Sequence, residues 1–391
     1  MIDAGASRSH PVPLSALPPP TGAIVDLDWL RARADAWDRL VADAAVPNPF
    51  YARRIVGAHL EHGLAGADLR FAVVHRGEEL LALLPFRPRG ARVALFRRAA
   101  TGWISPYVVT STPLVTRHGL TEAVDALLAA MATAGEGALW MLPLLSIDSP
   151  VGAALQAGLA GRHWPARTLS AFERPVFDAH DAAAYAAHLG AGRRKDLQRR
   201  RRRLAELGSL EMQSFTGGWA LRQAVEDFLT LERKGWKGAA GTALACRENT
   251  AAYLRAVFAD GDDAVTCRAD VLSLAGRPMA ISLAFLSGGT AYMFKTAYDE
   301  TLRRYAPGVL LEDEIVRACQ SGFAERLDSM AMPGGVMDSL YPHRQRMGDL
   351  LFAADAAFAP GRLASLAEQE LTCRRAIARL KTLYRRARGG A

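Results

Sequence analysis

The stretch Tyr292–Leu311, YMFKTAYDETLRRYAPGVLL, decides the fold. A strand over Thr290–Tyr298 ends at Tyr298-Asp299, and a loop carrying Arg303, Arg304 and Tyr305 follows. Pro307-Gly308 then leads into an amphipathic helix from Val309 to Ser321, with Gly322 past its end. A helix start presents free backbone N–H groups and partial positive charge, so it can hold a pyrophosphate. Gly308 permits close backbone approach, and Arg303 and Arg304 add charge-assisted contacts.

Working outward, Val265–Leu274 and Met279–Leu286 read as strands around the turn Ala275-Gly276-Arg277-Pro278, and Gly288-Gly289 as a two-residue hairpin turn. Arg326–Met332 is a short strand after the helix. The second half is thus β-β-β-α-β. The first half repeats the plan with strands at Leu69–His75, Leu80–Phe86 and Arg92–Arg97, a helix over 119–134 and a strand over Ala138–Leu145. A helix near 151–160 and a strand around 167–177 follow. Further helices are expected over 27–44, from Asn48-Pro49-Phe50 to His62-Gly63, from Gly192 to Gly208, and over 219–234, 248–259 and 360–388.

Three antiparallel strands feeding a crossover helix and a parallel strand make an α/β (α+β layered) unit, and two such units suit 391 residues. The expectation is two tandem domains, each a mixed, mostly antiparallel sheet flanked by helices. Residues 1–20 form a disordered tail, 21–178 a first domain, 179–355 a second domain opening with a basic helix, and 356–391 a basic helical extension.

Composition narrows the class. Half the residues are hydrophobic and 23% charged, which excludes disordered, collagen-like and coiled-coil proteins. No apolar run approaches the ~18 residues that cross a bilayer. Cys246, Cys267, Cys319 and Cys373 lie far apart without a CxxC, which argues against a zinc site or a disulfide framework and for a reduced, cytoplasmic location. His59-Leu60-Glu61-His62 sets its histidines three apart, not at the four-residue spacing of a zinc-binding helix. No nucleophile elbow or P-loop occurs, so hydrolase and nucleotide-hydrolysing readings fall away.

The formal net charge of +8 is concentrated. Residues 193–203 carry +7 and residues 361–391 carry +6, on a body that sums to −5. Focused charge of this kind favours phosphate-bearing partners, and a solvated arginine-rich helix face is the plainer alternative.

Five stretches in order carry a family resemblance: Asn48-Pro49-Phe50-Tyr51; Gly192-Arg193-Arg194-Lys195 with its arginine run; LERKGWKGAAG (Leu231–Gly241) with Thr242; AGRPMA (Ala275–Ala280); and Tyr298–Leu311. The segment Tyr292–Leu311 resembles the strand, loop and cofactor helix of the GNAT acyltransferase superfamily. Over about 45–350 the chain resembles CelD-type acetyltransferase-like proteins of polysaccharide biosynthesis. Those are similar in turn to the Fem-type peptidyltransferases with two tandem GNAT-like domains. The superfamily's cofactor loop is longer in Arg and Gly than Arg303–Gly308 is here.

The resemblance implies acyl transfer from acetyl-CoA or another acyl-CoA, without a metal, to an amine on an amino sugar or amino-acid-like precursor of exopolysaccharide or cell-envelope biosynthesis. It implies an active site in the second half. Tyr298, Arg303, Arg304, Pro307, Gly308 and Val309 are the expected cofactor contacts. Asp299 and Asp328, at strand ends expected to face one sheet edge, are the candidate general bases, and Tyr341 the proton donor to the leaving thiolate. Turn formation for Asp299, a loop or dipole role for Asp328 and core packing for Tyr341 are the structural alternatives. Arg193, Arg194, Lys195, Arg199, Trp236, Lys295, His343 and Arg344 are assigned to a phosphorylated small-molecule or lipid-linked sugar acceptor. Two other classes stay open: an aminoacyl-tRNA-dependent Fem-like transferase, and a non-catalytic protein that binds a cyclic dinucleotide at its basic tail. The expected state is a monomer, touching the inner membrane peripherally through that tail.

Overall fold

Gly288 and Gly289 both adopt positive φ (51° and 76°), the backbone that a two-residue hairpin turn demands, and so join two long antiparallel strands. The computed structural model describes residues 18–134 and 137–389, with side chains through 383. The tail expected over 1–20 therefore falls, up to residue 17, outside the described residues.

The first half contains β1 (Thr21–Val25), α1 (Leu27–Arg31), α2 (Ala34–Asp43), α3 (Arg53–Glu61), β2 (Arg70–Arg76), β3 (Glu79–Val93), β4 (Arg97–Gly102) and β5 (Leu114–Val115). It continues with α4 (Leu120–Thr133), β6 (Leu139–Ser146), α5 (Pro150–Gly161) and β7 (Ala166–Asp178). The second half holds α6 (Ala182–Ala205), β8 (Leu210–Phe215), α7 (Gly218–Lys234), α8 (Trp236–Ala239), α9 (Glu248–Val257), β9 (Thr266–Leu274), β10 (Arg277–Ser287) and β11 (Thr290–Tyr298). It closes with α10 (Pro307–Ala318), β12 (Arg326–Asp328), β13 (His343–Ala353) and α11 (Pro360–Gly389). Asn48 opens the turn before α3 by accepting from the Phe50 N–H, so the Asn-Pro-Phe signal has its local cause. Gly190, with φ 66° and ψ 164°, kinks α6 just ahead of the basic segment.

Two separate sheets were expected; the strands instead form one continuous sheet in the order β1-β2-β3-β4-β6-β13-β7-β12-β11-β10-β9-β8, with β5 beside β3. The halves exchange edges. β13, from the end of the second half, lies between β6 and β7, and β7, from the end of the first, pairs with β12. Each half would otherwise leave the backbone of β6 or β12 as a bare edge, and the exchange covers both. A boundary after residue 178 thus cuts the chain where β7 is flanked on both sides by strands of the later half.

Apolar clusters lie on both faces. The largest packs α2, α3, α4, α5, α7 and α9 around Trp37, Phe50, Trp140 and Phe285. A second gathers α6 and α10 around Phe177, Leu311 and Ile315, and a third seats the start of α11 on Val93, Leu139 and Leu351.

Because β13 is interior to the sheet, Leu351→Ala, at a side chain with no exposure, should cost about 3 kcal/mol. Urea unfolding should remain a single transition that shifts as a whole. Two transitions, only one of them shifted, would contradict the shared sheet.

Candidate active site

The site begins where a parallel pair of strands comes apart. β11 and β12 are in register only at Thr290–Arg326, Ala291–Leu327 and Tyr292–Asp328. Beyond Tyr292, β11 continues through Tyr298 with β10 on one side and no strand on the other. Opposite β10, Leu283 faces Lys295 and Ala284 faces Met293, so Phe294 is the extra residue of a bulge. A bulge leaves the extra residue outside the ladder, here beside the open edge. Two residues at the mouth of the gap, Ala306 before α10 and Met330 after β12, hold left-handed φ of 54°, a strained conformation at a non-glycine residue. The start of α10 closes one side, so near that a Cβ at Gly308 would stand 3.3 Å from the Tyr298 ring.

The first half has the same divergence, already filled. β4 and β6 pair only at Ala100–Trp140 and Thr101–Met141. The loop after β4 then folds into the gap. Ser111 Oγ donates to the Pro143 carbonyl (2.5 Å), and Thr112 Oγ1 accepts from the Ser146 N–H (3.0 Å). The Asn48 amide donates to the Thr112 carbonyl at 2.8 Å and pins that loop in place. In the second half no such hydroxyl pairing to the strand backbone occurs among the described residues: β11 past Tyr292 has no strand partner on that side, and Tyr107 of the first-half loop packs beside it against Phe294 and Lys295.

Around it stand groups with chemistry. Lys295, on β11 next to the bulge, is half-buried with its ammonium over the rings of Tyr107 (5.6 Å) and Phe294 (5.8 Å). Burial, with the nearby charge of Lys237, pulls its pKa below the ordinary lysine value, and Glu232 opposes this. Glu232 is buried on the core side of α7, where it accepts from Lys237 Nζ (3.0 Å) and the Leu244 N–H (2.8 Å). Tyr107 stacks on Tyr253 at 5.2 Å, and the buried Tyr253 hydroxyl has no hydrogen-bond partner among the described residues. Beneath them His59 is pushed down to about 4 by burial; its Nδ1–H donates to the Ile55 carbonyl and its Nε2 accepts from the Ser105 hydroxyl. Glu232 and Tyr107 are not singled out by the sequence reading. The signal for Glu232 was present: a lone acid at the Phe228–Leu229–Glu232 spacing of a core-facing stripe.

The basic helix meets the turn before α10. Arg200 donates to the Arg304 carbonyl (3.0 Å), and Arg201 pairs with Glu314 of α10. Arg199, Arg200, Arg203, Arg304 and Tyr305, with Glu206, line a cleft of about 340 Å³. Residues assigned separately to acceptor and cofactor thus share one cationic cleft. Arg194 and Lys195 are exposed elsewhere on α6, Arg193 donates to Ser339 Oγ (2.8 Å), and Arg303 is exposed on the turn.

Other candidates are dispersed. Asp299 caps the turn after β11 by accepting from the Thr301 N–H and hydroxyl, and lines a cleft of about 490 Å³ with Lys234, Arg277 and Tyr298. Asp328 is buried against Arg174 at 3.5 Å, accepts from the Met330 N–H, and borders a different cleft of about 430 Å³ with Arg344. The two acids were expected at one sheet edge. Asp328 is level with Tyr292, so Asp299 lies seven residues further up, roughly 23 Å at ~3.3 Å per residue. Tyr341 is wholly buried and donates its hydroxyl to Glu312, with its pKa driven well above the usual value by burial and that carboxylate, so its proton faces the core rather than the gap. His343 is held between Asp178 and Asp181, and Arg344 donates to the Tyr341 carbonyl (2.6 Å). Trp236 is 61% exposed, with its N–H on Glu300. Among the described residues no group of three or more His, Cys, Asp or Glu is placed to hold a metal ion.

With this geometry in hand, comparison places the fold. Residues 191–337, from α6 to just past β12, match the family model described as Acetyltransferase (GNAT) domain. FemX resembles the chain with a TM-score of 0.54 at 11% identity, over 85% of this chain and 98% of that one. A conserved protein of unknown function from Bacteroides thetaiotaomicron does so with a TM-score of 0.52 at 13% identity, over 82% and 96%. No curated protein matches in sequence. Residues 191–337 therefore carry a GNAT-type acetyltransferase domain fold, and the length of β11 without a strand partner on its β12 side lies inside that matched segment.

The Glu312–Tyr341 pair gives a stability prediction. Burial raises the Glu312 pKa from 4.5 to about 7, and its second oxygen has no hydrogen-bond partner among the described residues. Between those values the folded state holds a proton that the unfolded chain has lost, so stability falls as pH rises from about 4.5 to about 7 and levels off above. Glu312→Gln should flatten that slope in urea unfolding compared between about pH 5 and about pH 8. An equal slope in both proteins would contradict it.

Proposed function

We propose that this protein is a CoA-dependent N-acyltransferase whose donor lies along the open edge of β11. The acceptor is a phosphorylated amino sugar or amino-acid-like precursor of the CelD-type, in exopolysaccharide or cell-envelope biosynthesis. The observation that carries the reading is the contrast between the two gaps: one hydrogen-bonded shut by Ser111 and Thr112, the other without a strand partner past Tyr292 and set beside a bulge, a helix start and a cationic cleft.

The residues present fit such a donor. The cleft of Arg199, Arg200, Arg203 and Arg304 suits nucleotide phosphates, the α10 start suits a pyrophosphate, and the strip from Phe294 to Tyr298 suits a narrow amide-bearing chain laid along a free strand edge. The donor, when bound, supplies an activated acyl carbonyl and a thiolate leaving group. The acceptor amine forms the new C–N bond as the C–S bond breaks; the amine loses a proton and the thiolate gains one. A backbone N–H at the Phe294 bulge can donate to the carbonyl oxygen as it takes on charge. Lys295, its ammonium disfavoured by burial, is the group beside the bulge suited to hand a proton to the thiolate.

Calorimetric titration with acetyl-CoA should show binding that Arg203→Glu/Arg304→Glu weakens at least about tenfold, both side chains being exposed. Lys295→Met should leave binding in place and lower kcat about a hundredfold or more. No binding of acetyl-CoA by the wild type, with binding of a charged tRNA instead, would replace this reading by the aminoacyl-tRNA-dependent one.

A further inference from the structure

The third apolar cluster supports a helix longer than the body beneath it. α11 is 30 residues, about 45 Å. Its first turns bury Leu363, Leu366, Ala367 and Glu370, and Glu370 Oε2 accepts the Ala94 N–H at 2.8 Å. The same three- and four-residue spacing runs on through Ile377 and Leu380 to Leu383, but there the stripe is uncovered; Leu380 is 65% exposed. The β3–β4 turn that Glu370 holds is itself unusual. Ala94 and Leu95 both take positive φ, and the turn presents Phe96 at 88% exposure beside Leu95. Ile377 lies about 10 Å along α11 from the Glu370 contact. The uncovered part of the stripe therefore begins within about two helical turns of the contact that ties the β3–β4 turn to α11.

Their charge selects the occupant. No acid follows Glu370 in the chain, and none occurs over residues 87–98. Arg92, Arg97, Arg98, Arg375, Arg379 and Lys381 are exposed and have no ion-pair partner among the described residues. A nucleic acid would take the cations and leave Phe96 and the α11 stripe in water. A second copy of the chain would cover the apolar stripe but set two acid-free cationic helices against each other. An anionic bilayer surface rewards both, burying the apolar groups at the acyl boundary while the cations meet the headgroups. No described helix is long and apolar enough to cross a membrane, so the contact is with the surface.

We propose that the β3–β4 turn and the overhanging end of α11 form one docking surface for an anionic lipid bilayer. The inference stands apart from the acyl-transfer reading and uses none of its residues.

The test is co-sedimentation of the full chain with vesicles of phosphatidylcholine, with and without phosphatidylglycerol. The wild type should bind the anionic vesicles alone, and added salt should weaken that binding. Leu95→Ser/Phe96→Ser and Leu380→Gln/Leu383→Gln should each weaken it about tenfold or more, with melting temperatures unchanged because all four side chains are exposed. Absence of wild-type binding to anionic vesicles, or variants that bind as the wild type does, overturns the proposal. So does a wild-type dimer in solution that the second variant dissolves.

Discussion

The register between β11 and β12 lasts for three residue pairs, and most of the site follows from where it stops. Past Tyr292 the backbone of β11 has a partner on one side only, and the bulge at Phe294 falls within that free length. α10 can start against Tyr298 because Gly308 carries no side chain to push the ring away. Asp328, at the last paired level, is then bound to Arg174 of β7, which also donates to the Val109 carbonyl at 2.7 Å in the loop that plugs the first-half gap. One short parallel ladder thus ends in an open gap on its own side and braces the filled gap on the other.

That asymmetry explains why two halves built on one plan are chemically unequal. In the first half a long segment from Trp103 to Gly119, interrupted only by β5, separates β4 from α4, and its Ser111 and Thr112 hydroxyls bond the backbone of β6. In the second half the link from Asp299 to Ala306 is a short 3-10 helix, whose Arg304 carbonyl accepts from Arg200 of α6 and whose Glu300 side chain accepts from the Trp236 backbone N–H of α8. The exchange of β7 and β13 locks the two halves into one sheet, so the open gap is backed by strands from both.

Much of this was legible in the sequence. The strand, turn and helix of Tyr292–Leu311, the Gly288-Gly289 hairpin and the helix signals at Asn48 and Pro307 are local, and local chemistry decides them. β13 was not legible: His343–Arg346 alternates polar residues among basic ones, and its partners Ser146 and Phe172 are remote in the chain. Asp299 and Asp328 both sit at strand ends as expected, but only the register reveals how far apart they are. Tyr341 shows the same limit, since nothing near it in sequence announces the Glu312 carboxylate that its hydroxyl meets. The arginines of α6 and Arg304 were each noticed, and their meeting in one cleft is a tertiary fact.

The central claim is that ligand enters the second-half gap and not the first. Amide hydrogen exchange with and without acetyl-CoA tests it most directly. The account predicts slowed exchange over Met293–Tyr298 and at the start of α10, with Ser111, Thr112 and β6 unchanged. Protection confined to Ser111, Thr112 and β6, or none in β11 when acetyl-CoA is bound, would contradict it.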